Sequence, residues 1–270
     1  MTNILPLAFA TTGALYARER ATRQNAERLA AALLETLLNA IDATDGQTGS
    51  HVRRVARFAL ILADAADLEP HECHAVERVA LFHDIGKISE ALFDIIHEGT
   101  ELTPEQRRAI ATHPQRGAEV LAPLSAFYPD LAEGVLSHHE RLDGGGYPRR
   151  LKGDRIPHSA RIVSIADSFD AITHSRRYKA GRSAQAGARL ICEGRGTQFD
   201  PDLTDLFLSP PVFECIETAM AEARAAERRG DKAVRPRTVP QADRRQGQSE
   251  AREAPDVKFR WRESALAQPR

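Results

Sequence analysis

The chain has 270 residues, 42% of them hydrophobic and 6% aromatic, enough for one good-sized core built mainly from aliphatic side chains. Its 37 Lys and Arg nearly cancel 38 Asp and Glu, which excludes a global field directed at nucleic acid or an anionic membrane. Cys73, Cys192 and Cys215 stand far apart with no CxxC pair, which excludes a disulfide framework or thiolate zinc site and suits a reducing cytoplasm.

The opening run Ile4–Tyr16 is broken by Pro6, Thr11, Thr12 and Gly13, lacks a basic leader, and is shorter than the ~20 residues that span a bilayer. No membrane span is expected. From Ala14 to about Ala43 the pattern predicts one long helix, with Leu29, Leu33, Leu37 and Ile41 recurring every four residues. That stripe reads as packing on the following domain, with a homodimer contact along the same helix. Asp45–Ser50 is polar and glycine-containing, and reads as a loop.

Helical patterns then cover His51–Ala66, His71–Phe82, Thr103–Thr112, Pro114–Leu121 and Leu131–His139. Pro114 suits a first helical turn and would put His113 at the helix edge. Leu142–Arg155, with three consecutive glycines, reads as a loop, and Asp154–Pro157 as a turn. Further helices are expected over Ala160–Thr173, Ala184 to about Glu193, and Pro211–Arg229. No repeat and no strand-like alternation is visible, so the fold class is all-α.

Beyond Gly230 hydrophobic residues nearly vanish, and Arg, Pro, Gln and Asp take over. Such a segment cannot bury enough surface to offset its ordering entropy, so Gly230–Arg270 is expected to be a disordered basic tail. Only Val257–Trp261, with Phe259 and Trp261, could dock there. The basic tail reads as a solvated linker, and nucleic acid as an unlikely partner.

The chemistry sits between His51 and Asp167. His83-Asp84 follows the apolar run Val79–Phe82, so the pair is expected to be buried, and buried charge needs compensation. On a helix Lys87 would share a side with both residues. Asp84 has two oxygens and can bridge two cations, with Lys87 a cationic donor beside them. His138-His139-Glu140 closes another apolar helix, and its adjacent imidazoles can grip one ion above the helix end. His51 would open a helix, with Arg54 one turn later; His113 sits at a helix start, and Asp167 lies in the apolar stretch Ile162–Ile172. Any one of these fits a structural histidine or a helix salt bridge. Together, imidazole and carboxylate donors without thiolate suit Fe, Mn, Zn or Co better than Ca or Mg. His71, His74, His97, His158 and His174 lie in polar or loop contexts and read as surface residues. Gly144–Gly146 follow no strand, which argues against a P-loop.

At this point a resemblance becomes specific. His51…His83-Asp84…Asp167 resembles the H…HD…D signature of the HD phosphohydrolase superfamily. The runs His83–Lys87, His113-Pro114, His138–Pro148 (HHERLDGGGYP), Asp167–Thr173 and Gly196–Pro201 resemble its HD-GYP subfamily. The likeness covers about Leu38 to Leu208, which implies a helical domain over 38–210, an N-terminal helical segment over 1–37, a C-terminal helix over 211–229 and the tail over 230–270.

The resemblance implies a bacterial signalling phosphodiesterase that opens cyclic di-GMP to pGpG, with onward cleavage to GMP left open, using hydroxide held between two divalent metal ions, Fe or Mn first and Zn, Co or Ni as alternatives. By the family's scheme His51, His83 and Asp167 would hold one ion, His113, His138 and His139 the other, with Asp84 bridging. Asp84 and Lys87 are the implied catalytic residues. Lys87, Arg176, Lys179 and Tyr147 would meet the substrate, and the GYP loop a signalling partner. Three-metal members carry a glutamate where Gln47 stands, which favours two ions. Arg177 replaces a common proline, which puts the local loop shape in question. Hydrolysis of another cyclic dinucleotide or phosphoester, and a non-catalytic nucleotide-binding or partner-binding module, are the alternatives.

Overall fold

A computed structural model describes residues 5–44, 46–88, 103–174 and 181–229. Among them the chain forms ten α-helices, with one isolated bridge, Arg195 to Phe199, in place of any strand. The helices are α1 (Leu5–Thr44), α2 (Gly46–Ala65), α3 (Pro70–Phe82), α4 (Pro104–Ile110) and α5 (His113–Leu121), then α6 (Pro129–Ser137), α7 (His158–Thr173), α8 (Ala184–Glu193), α9 (Pro201–Phe207) and α10 (Pro210–Arg228). The all-α expectation is met.

Local chemistry sets several helix starts. The main-chain N–H of Glu69 donates to Glu72 at 3.0 Å at the start of α3, and Thr103 Oγ1 accepts from Gln106 N at 3.2 Å at the start of α4. Asp200 Oδ1 accepts from both Asp202 N and Leu203 N to begin α9. The core then forms where apolar stripes meet. α2 contributes Val52, Val55, Phe58, Ala59 and Leu62, α3 Val79–Phe82, and α7 Ile162, Val163, Ile165, Ala166 and Phe169. Phe169 is the hinge of that packing, edge-on to Phe58 at 5.7 Å and to Phe207 at 5.2 Å. Each such ring contributes roughly 1.5–3 kcal/mol on burial.

Several elements depart from expectation. The stretch expected as a loop before His51 is the first turn of α2 from Gly46 onward, so His51 lies in the second turn rather than opening the helix. Polarity and glycine weaken helix propensity by only about 1 kcal/mol, which packing readily overrides. Among the described side chains of α1, which do not include Ile41, the buried positions are Ala30, Leu34 and Leu38; Leu37 only borders the core, while Leu29 and Leu33 face outward. The packed stripe is therefore shifted by one residue. α9 was not anticipated because it is a short helix inside a turn-rich run. α6 stops at Ser137, leaving His138 as its C-cap. Residues 230–270, with the expected tail and its Phe259 and Trp261, lie outside the described residues, as do His97, Arg176, Arg177, Lys179 and the side chain of Gln47. Of the other expected surface histidines, His71 and His158 are exposed, while His74 and His174 are half-buried. Among the described residues no helix is long and apolar enough to cross a membrane.

Candidate metal centre

Three helix ends converge on one spot. His83 caps the C-terminus of α3, His138 caps α6, and His113 follows the last turn of α4. The closing carbonyls of a helix lack partners, and each of these rings turns back to use one. His83 Nδ1 donates to Ala80 O at 2.8 Å, His113 Nδ1 to Ile110 O at 2.7 Å, and His138 Nδ1 to Val135 O at 2.6 Å. Fixing the proton on Nδ1 leaves the Nε2 lone pair of each ring turned inward. The negative ends of α3 and α6, capped by His83 and His138, also favour a cation there.

Because α6 ends at Ser137, His138 and His139 stand past the helix and lie side by side, with ring centroids 4.1 Å apart. His113 Nε2 approaches His138 Nε2 at 3.1 Å. With both protons on Nδ1 these are two lone pairs facing each other, an arrangement that calls for a shared cation. His113, His138 and His139 form one compact group of donor atoms, and His51, His83 and Asp167 another.

Asp84 lies between the groups. Its Oδ1 faces His113 Nε2 at 3.3 Å, while Oδ2 faces His83 Nε2 at 3.5 Å and His51 Nε2 at 3.8 Å. His83 Nε2 and Asp84 Oδ1 are both buried and lack a hydrogen-bond partner. Two orphaned buried atoms that both present lone pairs, in a ring of nitrogen and carboxylate donors, fit a bound cation and fit no apolar packing role. The protein thus carries two His/Asp clusters able to hold metal. Lys87 Nζ donates to Asp84 Oδ2 at 2.7 Å. The route differs from the helix expected here: Ile85–Ile88 is a 3₁₀ turn, in which residues three apart eclipse, so Lys87 aligns with Asp84 alone. Gly86 makes that turn possible, because a Cβ there would stand 2.1 Å from His113 O and 2.7 Å from Gly117 N.

The protonation states suit this reading. Burial, then the Lys87 charge, pushes His113 down to about 3; burial, then nearby charges including Lys87, takes His139 down to about 4. Burial and the neighbouring imidazoles hold His138 well below the usual range. Burial pushes the carboxyls up, yet Asp84 and Asp167 end well below the carboxylate range: Lys87 and imidazoles lower Asp84, while the His51 hydrogen bond and the neighbouring histidines lower Asp167. His51 is the exception. Burial lowers it, but hydrogen bonds to Asp167 and Asp170 outweigh that and carry it to about 9.

Tyr147 stacks on His139, centroids 4.9 Å apart and planes 27° from parallel, so the glycine-rich loop closes over the second histidine group. Glu140 holds that loop: buried, it accepts from Arg149 N at 2.7 Å and Leu151 N at 3.0 Å. Gly146 lies so close to the preceding chain that a Cβ would meet Arg141 N at 2.4 Å. The Gly196–Pro201 run braces the loop from behind, Gln198 O and Thr197 O accepting from Leu142 N and Asp143 N. The structure therefore brings together His51, His83, Asp84, Lys87, His113, His138, His139, Tyr147 and Asp167.

Sequence reasoning assigned no role to Glu140, Arg54 or Asp170. Asp170 Oδ2 accepts from His51 Nδ1 at 2.7 Å, and Arg54 grips Asp170 through Nε at 2.7 Å and an Nη at 3.0 Å. The signal was present: Asp170 follows Asp167 by three residues and Arg54 follows His51 by three, the spacing of one helix face.

Residues 35–203 match the HD domain family. The chain belongs to the HD domain family. Among curated relatives it is 35% identical over 178 residues to a 3′3′-cGAMP-specific phosphodiesterase of Vibrio cholerae, covering 65% of this chain and 34% of that protein. It is 36% identical over 176 residues to a cyclic di-GMP phosphodiesterase response regulator of Xanthomonas campestris, covering 65% and 46%. The HD chain spans a third to a half of the length of these relatives. In fold it is similar to a solved cyclic GMP-AMP phosphodiesterase of V. cholerae, with TM-score 0.53 and 23% identity over 73% of this chain and 60% of that one.

Proposed function

We propose that this HD domain protein is a metal-dependent phosphodiesterase of the HD-GYP type that hydrolyses cyclic di-GMP to pGpG. The observation that carries the reading is Asp84, one oxygen toward each of two three-donor groups, with its Oδ1 and His83 Nε2 left without hydrogen-bond partners. In the proposed scheme His51, His83 and Asp167 would hold one divalent ion and His113, His138 and His139 a second, with Asp84 available to both. Iron or manganese is the proposed metal, with Zn, Co or Ni as alternatives, since imidazole with carboxylate suits such ions better than Ca or Mg. Such a pair supplies Lewis-acid charge against the phosphodiester and makes water acidic enough to attack it near neutral pH.

The chain's own residues do the rest. Burial keeps the histidine group neutral and therefore able to donate its lone pairs. Lys87, held at 2.7 Å by Asp84, clamps a phosphate oxygen and meets the charge that develops on the leaving ribose oxygen. Tyr147 forms the rim against the bound nucleotide, and Arg176 and Lys179, outside the described residues, are the further proposed contacts to the substrate phosphates. The GYP loop also offers a surface to a signalling partner. Leu29 and Leu33, 63% and 47% exposed on α1, support a homodimer through that helix. The free cysteines suit a cytoplasmic setting.

The likeness to cGAMP-specific enzymes favours a second reading, with 3′3′-cGAMP as the substrate of the same site. Anaerobic protein loaded with Fe or Mn, incubated in parallel with cyclic di-GMP, 3′3′-cGAMP and cyclic di-AMP and resolved by chromatography, tests both. Metal-dependent conversion of cyclic di-GMP to pGpG is the expected result. Intact cyclic di-GMP beside cleaved 3′3′-cGAMP transfers the assignment to the second reading, and no cleavage of any substrate by metal-replete protein overturns it.

A further inference from the structure

Three of the clustered histidines take their tautomer from main-chain carbonyls at the ends of α3, α4 and α6. His51 cannot, because it lies inside α2, where those carbonyls are already used. Its Nδ1–H goes instead to Asp170 Oδ2 at 2.7 Å, across 119 residues of sequence. Asp170 is itself buried and held by the Arg54 fork. The outer Nη of Arg54 reaches Glu227 Oε1 at 2.9 Å, near the end of α10. That helix lies beyond residues 35–203, the span shared with the family. α10 is seated on the core by Val212, Ile216, Ala219 and Met220, and Arg57 pairs with Glu222 five residues before the Glu227 contact. The same carboxylate of Glu227 lies 3.2 Å from His174 Nε2, and Arg224 donates to Thr173 O at 3.3 Å.

We infer that Asp170 and Arg54 are positioning residues for His51, and that the C-terminal helix sets the affinity of the His51 metal site through Glu227. The inference rests on the metal-centre reading above. Its physical content is tautomer control. With Asp170 as an obligate acceptor, the imidazole proton stays on Nδ1 and Nε2 offers a lone pair to a cation shared with His83 and Asp167. An Asn at 170 can present its NH₂ instead, which lets the proton move to Nε2 and point into the site. Arg54 fixes the orientation of the carboxylate through two hydrogen bonds, and Glu227 keeps Arg54 from swinging away toward solvent.

The consequence is asymmetric. Loss of Asp170 weakens one site and spares the other, whereas general damage to the fold weakens both. The test is anaerobic Mn²⁺ titration of the full chain by calorimetry, with Mn²⁺ electron paramagnetic resonance to count bound ions and circular dichroism to check the fold. The parent is expected to bind two Mn²⁺. Asp170→Asn should bind one with parental affinity and the other ~10- to 100-fold more weakly. Glu227→Gln, at a half-exposed position, should weaken that same site by about two- to fivefold. Equal weakening of both ions, or parental affinity in a folded Asp170→Asn protein, overturns the inference. Should Asp170→Asn fail to fold, the Glu227→Gln result decides, and unchanged affinity there overturns the role of α10. A parent that binds no Mn²⁺ overturns the metal-centre reading itself, and this inference with it, an outcome distinct from a two-ion parent whose variants are unchanged.

Discussion

The two halves of the site are built on opposite plans. In the half made by His113, His138 and His139, the two rings whose Nδ1 contacts are defined are fixed by main-chain carbonyls three residues back, and the three imidazoles are held neutral by burial. The half made by His51, His83 and Asp167 is mostly long-range and charged: His51 from α2 faces Asp167 and Asp170 from α7, and its imidazole is driven to hold a proton. One half is a property of helix ends. The other is a property of how two helices dock, and the two should respond differently to substitution, pH and changes in distant helices.

The most severe break is at the residue both halves share. Asp84→Ala should lower turnover by on the order of 10³-fold and reduce bound metal in both groups, measured by rate and elemental analysis of anaerobic protein. Retained turnover would contradict the bridging role of Asp84. Next is Gly86→Ala, whose Cβ would meet His113 O at 2.1 Å. Overpacking of this kind costs about 1–3 kcal/mol. It should lower the thermal midpoint and release metal from the His113 group before the His51 group.

The pH response sharpens the contrast, because the two halves have opposite signs in metal-free protein. His113 and His139 sit at about 3 and about 4 when folded, so below the unfolded value near 6.5 the unfolded chain binds more protons and stability falls with pH. The cost is on the order of 2 kcal/mol for His113 at pH 5. His51, raised to about 9, stabilises the fold fully below about 6.5, and that contribution fades as pH rises to about 9. Denaturant titrations of the chelated protein should therefore show His113→Asn losing less stability than the parent between pH 6.5 and 4.5 (an interval set by the ordinary histidine value of about 6.5). His51→Asn should be weakest relative to the parent in acid and converge with it near pH 9. Parallel curves for all three proteins would contradict the contrast. The smallest effect is expected far from either half: Leu33→Glu on the exposed face of α1 should shift sedimentation from dimer to monomer with metal content unchanged, and a parent that is already monomeric removes the dimer proposal.

How far each half could be read from the sequence follows the same division. His83-Asp84 and His138-His139 stand out locally, because polar doublets at the end of apolar runs require an explanation that packing does not give. Lys87 was placed beside Asp84 for the wrong reason, a continuing helix, yet a 3₁₀ turn also aligns residues three apart. Asp170 stayed hidden although its motif was in view, since a second aspartate on a helix face looks like solvated charge until the partner helix is known. Glu140 was hidden likewise, its partners being loop N–H groups that any sequence would supply. The buried stripe of α1 was misplaced by one residue because both registers are leucine-rich.

By itself, the sequence determined the all-helical class, the approximate helix positions and the residues able to donate to a metal, because periodicity and residue chemistry are local properties. Only the tertiary structure decided which oxygen of Asp84 faces which histidine, which nitrogen of His51, His83, His113 and His138 carries the proton, and that a helix beyond the family's shared span reaches His51 through Glu227, Arg54 and Asp170. Those are matters of docking between segments more than a hundred residues apart, and no local pattern encodes the angle at which two helices meet.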